Sequence, residues 1–182
     1  MEMVVVVPSG ETMELLVPKL VQALRENPGL AAVGLRAGAP AGELPGELPA
    51  DLRRLLALSN GLDLGVRASV HPAEETLGYQ SPETLAEAAG ITNAEDYLTI
   101  GTVFEDPLLF DTTDGSIWVA RAEGGYWYQE CSLERIAGSL DEFMAEWVAA
   151  PRFQELVAFG DDEDRDRDDW WRLLQAAGLV PA

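Results

Sequence analysis

The sequence predicts an α+β domain, and three observations carry this. Apolar residues recur at helical spacing before residue 90 and again after residue 139. Between them, residues 97–137 switch to two-residue alternation of β-formers. Asp114-Gly115, set between two such runs, is the signal of an antiparallel hairpin. Strands joined by short turns, with helices gathered outside them, belong to this class. The chain has 182 residues, 47% apolar and 24% charged. That is enough to bury a core within one domain.

The elements follow in order. Val4 to Val7 is a β-branched run stopped by Pro8-Ser9-Gly10 and reads as a strand. Leu16, Leu20, Val21 and Leu24 form a helical stripe that Asn27-Pro28-Gly29 ends, with a start or bend at Pro18. Leu30 to Arg36 reads as a short strand, and 37–49 as a Gly/Pro-rich loop. Pro49 opens a helix on Leu52, Leu55 and Leu56 that stops at Ser59-Asn60-Gly61. The stretch 62–80 shows no regular period. Ser81-Pro82-Glu83 then starts a helix over 82–89, ended by Gly90.

The β-rich centre comes next. Tyr97 to Val103 alternates, and Leu108 to Asp111 and Ser116 to Ala120 flank the turn at 112–115. Tyr126-Trp127-Tyr128, after Gly124-Gly125, reads as a further antiparallel strand. Leu133 to Ala137 either adds another strand or leads into the next helix. Ser139 with Glu142 is a capping box for a helix that buries Phe143, Trp147 and Val148. A last helix carries Trp170, Trp171, Leu173 and Leu174. Core packing is the favoured reading for the tryptophan pair, with an interface as the alternative.

Charge sets this chain apart. Thirty-two acids face twelve bases, a net of −20. Residues 70–150 hold 16 acids against two bases, Arg121 and Arg135. The acidity therefore belongs to the folded body. It excludes a basic-patch nucleic-acid binder and a binder of anionic membrane. Either it serves solubility, or it is an electrostatic face for a cationic partner. The run Asp161 to Asp169 lacks the glycine and terminal Glu of a Ca²⁺ hand, and it suits a helix N-terminus better. No apolar stretch reaches ~18 residues, and the first residues, with no basic region and only a short apolar run, are not expected to form a leader. A soluble, cytoplasmic protein is expected.

Catalytic motifs fail on inspection. Leu108 to Gly115 superficially resembles the first motif of haloacid-dehalogenase-like phosphatases, with Asp111 as nucleophile. The second acid falls three residues on instead of two, and the one lysine, Lys19, lies far upstream. His71 has no Ser or Cys set around it in sequence, and Cys131 has no basic neighbour to lower its pKa. A single cysteine excludes an internal disulfide or a multi-Cys metal site. No Walker loop or dinucleotide fingerprint occurs. No enzyme activity, cofactor or metal is expected.

Three ordered pieces resemble the SUKH superfamily (SMI1/KNR4-like proteins). The first is Leu48-Pro49 with its helix and Ser59-Asn60-Gly61. The second is Tyr97 to Gly101, then Leu109-Phe110-Asp111, Gly115 and Ile117-Trp118-Val119. The third is Arg135 to Leu140, leading to Phe143. The stretch 62–96 and the tail from 151 lie outside the match. The resemblance implies a curved, mainly antiparallel sheet flanked by helices. The expected organisation is one domain over 1–160, matched over 48–148, then an acidic linker and a C-terminal helix packed on it over 161–182.

The resemblance also implies a protein-binding module without catalysis. Many members look like immunity proteins that neutralise a cognate toxin, often a nuclease, and others are scaffold or regulatory proteins. A basic toxin domain is the expected partner, met through an acidic face. The face is expected at Glu105, Asp106, Asp114, Glu123 and Glu130 beside Trp118 and Trp127. The acids would steer and an aromatic would anchor. The alternative is a cytoplasmic scaffold with no toxin.

Overall fold

A computed structural model describes residues 11–30, 32–40 and 42–181. The strand expected over Val4 to Val7 lies outside them. Helix α1 (Met13–Glu26) runs through Pro18 instead of starting there. Its stripe of Met13, Leu16, Val17, Leu20 and Ala23 is buried, and this packing outweighs the one helical hydrogen bond a proline removes. The loop then gives a short β1 (Val33–Leu35) and α2 (Ala50–Leu58).

The aperiodic stretch resolves into β2 (Leu62–Leu64), β3 (Ala68–Val70) and α3 (Ala73–Thr76). Helix α4 (Pro82–Ala89) has the expected bounds, with Gly90 in the left-handed conformation at its end. A 3-10 turn at Ala94–Asp96 leads into β4 (Tyr97–Val103), β5 (Asp106–Asp111), β6 (Ile117–Ala122) and β7 (Cys131–Ala137). The seven strands form one sheet in chain order, and every neighbouring pair is antiparallel. The fold class is α+β, an antiparallel sheet flanked by helices.

Helix α5 (Leu140–Glu142) widens to π-helical bonding over Phe143–Val148. One half of the capping box is present: Ser139 Oγ accepts from the Glu142 amide at 3.1 Å, whereas the Glu142 carboxylate accepts at 2.7 Å from the Gly138 amide, one residue before the Ser139 amide that a full box would use. Three short helices follow, α6 (Phe153–Val157), α7 (Asp162–Arg167) and α8 (Asp169–Ala176). The acidic run is therefore mostly helical. Asp161 caps α7 through the Asp164 amide, and Asp168 caps α8 through the Trp171 amide.

The sheet separates two apolar layers. On one face, Ile100, Val103, Leu108, Phe110, Ile117 and Val119 meet α1, α2, α5, α6 and α8 in the main core. Trp170 and Trp171 are both buried there, and the Trp170 indole donates to the Val148 carbonyl at 2.8 Å. On the other face, Leu109, Ala120 and Cys131 meet Leu85 and Ala88 of α4, with Tyr97, Trp118, Trp127 and Leu133 around them.

Strict alternation would put Val103 on the same face as Tyr97. It does not, because the β4–β5 register shifts between Thr99 and Gly101. This bulge turns Val103 into the main core with Ile100, and leaves Thr99 and Thr102 on the second face. Among the described residues, no helix is long and apolar enough to cross a membrane.

Candidate functional site

Antiparallel order fixes which predicted residues can meet. Glu105 sits in the two-residue turn between β4 and β5, and Asp106 begins β5. Glu123 and Glu130 bound the connection from β6 to β7, where the Glu123 amide donates to the Glu130 carbonyl at 3.0 Å. All four acids stand at one end of the sheet. Burial first, then the charges of Asp106 and Glu123, raises the Cys131 thiol above its ordinary range, as expected for acids beside it.

Neither arginine of residues 70–150 neutralises this end. Arg121 bonds Glu134 at 2.9 Å, and Arg135 lies 3.8 Å from Asp114. Among the described residues, no base forms an ion pair with Glu105, Asp106, Glu123 or Glu130. Asp114 belongs to the opposite end, in the β5–β6 turn, about 17 Å away at roughly 3.3 Å per residue of β5. Its carboxylate accepts from the Ser116 hydroxyl and, at 2.9 Å, from the Ser116 amide. These bonds, with Arg135 behind them, hold it below the usual carboxylate range. Asp111 is engaged in the same turn by the Thr113 amide and hydroxyl, at 2.8 and 2.6 Å.

The aromatics divide in the same way. Trp118 lies on β6, edge-on to Tyr97 at 6.0 Å, and its indole donates to Ser116 Oγ at 2.8 Å. It supports the Asp114 turn. Trp127 lies at the acidic end. The expected strand over Tyr126 to Tyr128 is replaced by a turn, in which the Gln129 amide donates to the Tyr126 carbonyl at 2.9 Å. Gly124, at φ +85°, lets the chain leave the extended conformation there. Tyr126 and Tyr128 then stack at 5.2 Å, half exposed, while Trp127 turns onto the second face.

Trp127 forms part of a groove. Its inner part is lined by Tyr97, Leu85, Leu109, Pro107 and Tyr79. Its wider mouth, about 500 Å³, adds His71, Glu75, Thr102 and Glu105. Gln80 fixes the loop that carries Tyr79. Its side chain accepts from the Thr99 amide at 2.9 Å and donates to the Thr99 carbonyl at 3.0 Å, so it pairs with β4 as a strand would. Tyr79 is left 62% exposed, with its ring 5.6 Å from His71. Burial lowers the His71 imidazole below its ordinary range, against the pull of Glu75, and so favours its neutral form.

Glu105 and Trp127 were expected at a site; His71, Glu75 and Tyr79 were not. The one sequence signal for them was Gly78-Tyr79-Gln80 directly before the Ser81-Pro82 cap, a bulky aromatic where a chain turns. Comparison with protein-family models and with curated proteins finds no match to this chain.

Proposed function

We propose that the protein is a non-enzymatic binding module of the SUKH type, an immunity protein that neutralises a basic toxin in the cytoplasm. One observation carries the reading. Four acids without an ion-pair partner among the described residues, Glu105, Asp106, Glu123 and Glu130, share one sheet end with Trp127, Tyr126 and Tyr128. Such a surface speeds the encounter with a cationic protein, and its aromatics offer anchors. A nuclease is the favoured toxin because its substrate-binding surface must be cationic.

The test is affinity capture from the native cell, at moderate and at high salt. The expected result is one stoichiometric basic protein, lost at high salt. Charge reversal at Glu105, Glu123 and Glu130 should slow its association and flatten the salt dependence. A set of ordinary cellular proteins held regardless of salt would return the protein to the scaffold reading.

A further inference from the structure

We propose, on the reading above that the partner is a basic protein, that the groove between Tyr79 and Trp127 receives one arginine or lysine side chain of that partner. The acidic end attracts a whole surface; the groove would select a single residue within it.

Its walls are aromatic. Tyr79, Tyr97 and Trp127 line the inner part, and the faces of such rings attract a cation, more strongly once water is displaced. Its mouth is anionic, since Glu75 and Glu105 are both on the lining. Among the described residues, no Lys or Arg lines either part. Burial of His71 disfavours its charged form and so limits repulsion of a cation. An apolar side chain would gain from the walls alone, and an anion would meet both carboxylates. A cation on an apolar stem gains from walls and mouth together.

The groove is also preformed. The paired Gln80–Thr99 hydrogen bonds hold the Tyr79 loop against β4, and α4 backs it through Leu85. Little ordering is then required on binding. Glu105 is placed by a strained turn: the preceding residue, Phe104, has φ +56°, unusual for a bulky side chain.

The test titrates the full chain with N-acetyl-arginine amide, beside the uncharged isostere N-acetyl-citrulline amide, and follows the Trp127 indole and Tyr79 amide signals by NMR. The arginine compound should shift both signals saturably, and the citrulline compound should not. Tyr79→Ala or Trp127→Ala should weaken this binding about tenfold. Glu105→Gln, at an exposed turn, should weaken it by a smaller factor and leave the fold intact.

Equal response to citrulline, or no response to arginine, would overturn the groove assignment whatever protein the capture experiment finds. Retention of a basic partner by a Tyr79→Ala, Trp127→Ala double variant as strong as by the wild type would also overturn it, while leaving the acidic-face reading in place.

Discussion

Gly101 of β4 runs so close to Ser69 of β3 that a Cβ at position 101 would stand 2.0 Å from the Ser69 carbonyl oxygen. The contact sits beside the bulge that sends Val103 to the main core and leaves Thr102 in the groove. A hydrogen at this position therefore permits both the close pairing of the strands and the division of β4 between two faces.

Gly101→Ala should accordingly be costly. The clash is with backbone, which cannot swing aside as a long side chain would, and about 3 kcal/mol of stability should be lost. Urea unfolding at fixed pH would measure it. A loss indistinguishable from that of Gly42→Ala, where a Cβ meets nothing within 4 Å, would contradict the close packing.

The Asp164 carboxylate supports a pH prediction. The Gly160 amide first, and then the Arg67 guanidinium, 2.6 and 2.7 Å from its two oxygens, hold its pKa below the ordinary 3.8. A depressed carboxyl contributes stability above its unfolded value and loses it as pH falls through its folded value. Asp164→Asn should therefore lower the urea midpoint at neutral pH. The gap from wild type should narrow below pH 3.8 and close in stronger acid. A gap that persists unchanged in strong acid would show that the ionised carboxylate is not its source.

The two tryptophans of α8 should respond differently to loss of the indole nitrogen. Trp170 Nε1 donates to Val148 O, whereas Trp171 Nε1 is buried with no hydrogen-bond partner. Trp170→Phe leaves a carbonyl without its donor and a void, a cost of about 2–3 kcal/mol. Trp171→Phe opens a similar void but also removes an unsatisfied polar atom, so about 1 kcal/mol is expected. Thermal unfolding of the two variants side by side would decide it. Equal losses would mean that the Val148 bond contributes little.

Local chemistry was legible in the sequence where it acts alone. Pro82 and Gly90 delimit α4, although Ser81 makes no side-chain cap bond, Asp114-Gly115 makes its hairpin, and Ser139 caps its helix through the Glu142 amide. What was hidden depends on distant partners. Strands β2 and β3 are three residues each, too short to show alternation. The bulge at Ile100 lies beside the close approach of Ser69 to Gly101, a long-range contact that no local pattern announces. Tyr126 to Tyr128 has strand-like residues, but Gly124 and the closing bond from Glu123 to Glu130 turn it into a loop. The same holds for the site. Charge counts pointed to residues 70–150 but could not separate Asp114 from Glu105, because only the strand order puts them at opposite ends.

That strand order also bears on how the chain is made. Among the described strands, each one after β1 pairs with the strand synthesised just before it. The β2–β3, β4–β5, β5–β6 and β6–β7 pairings close short loops, and pairings of this kind form early and fast, whereas β1–β2 and β3–β4 close longer connections that carry α2, and α3 with α4. The helical layer follows another schedule, because α1, near the beginning, packs against α8, near the end. As synthesis proceeds from the amino terminus, the sheet can zip strand by strand. A nascent chain that has passed Ala137 thus holds all seven described strands, yet still lacks Trp170, which is fully buried in the main core.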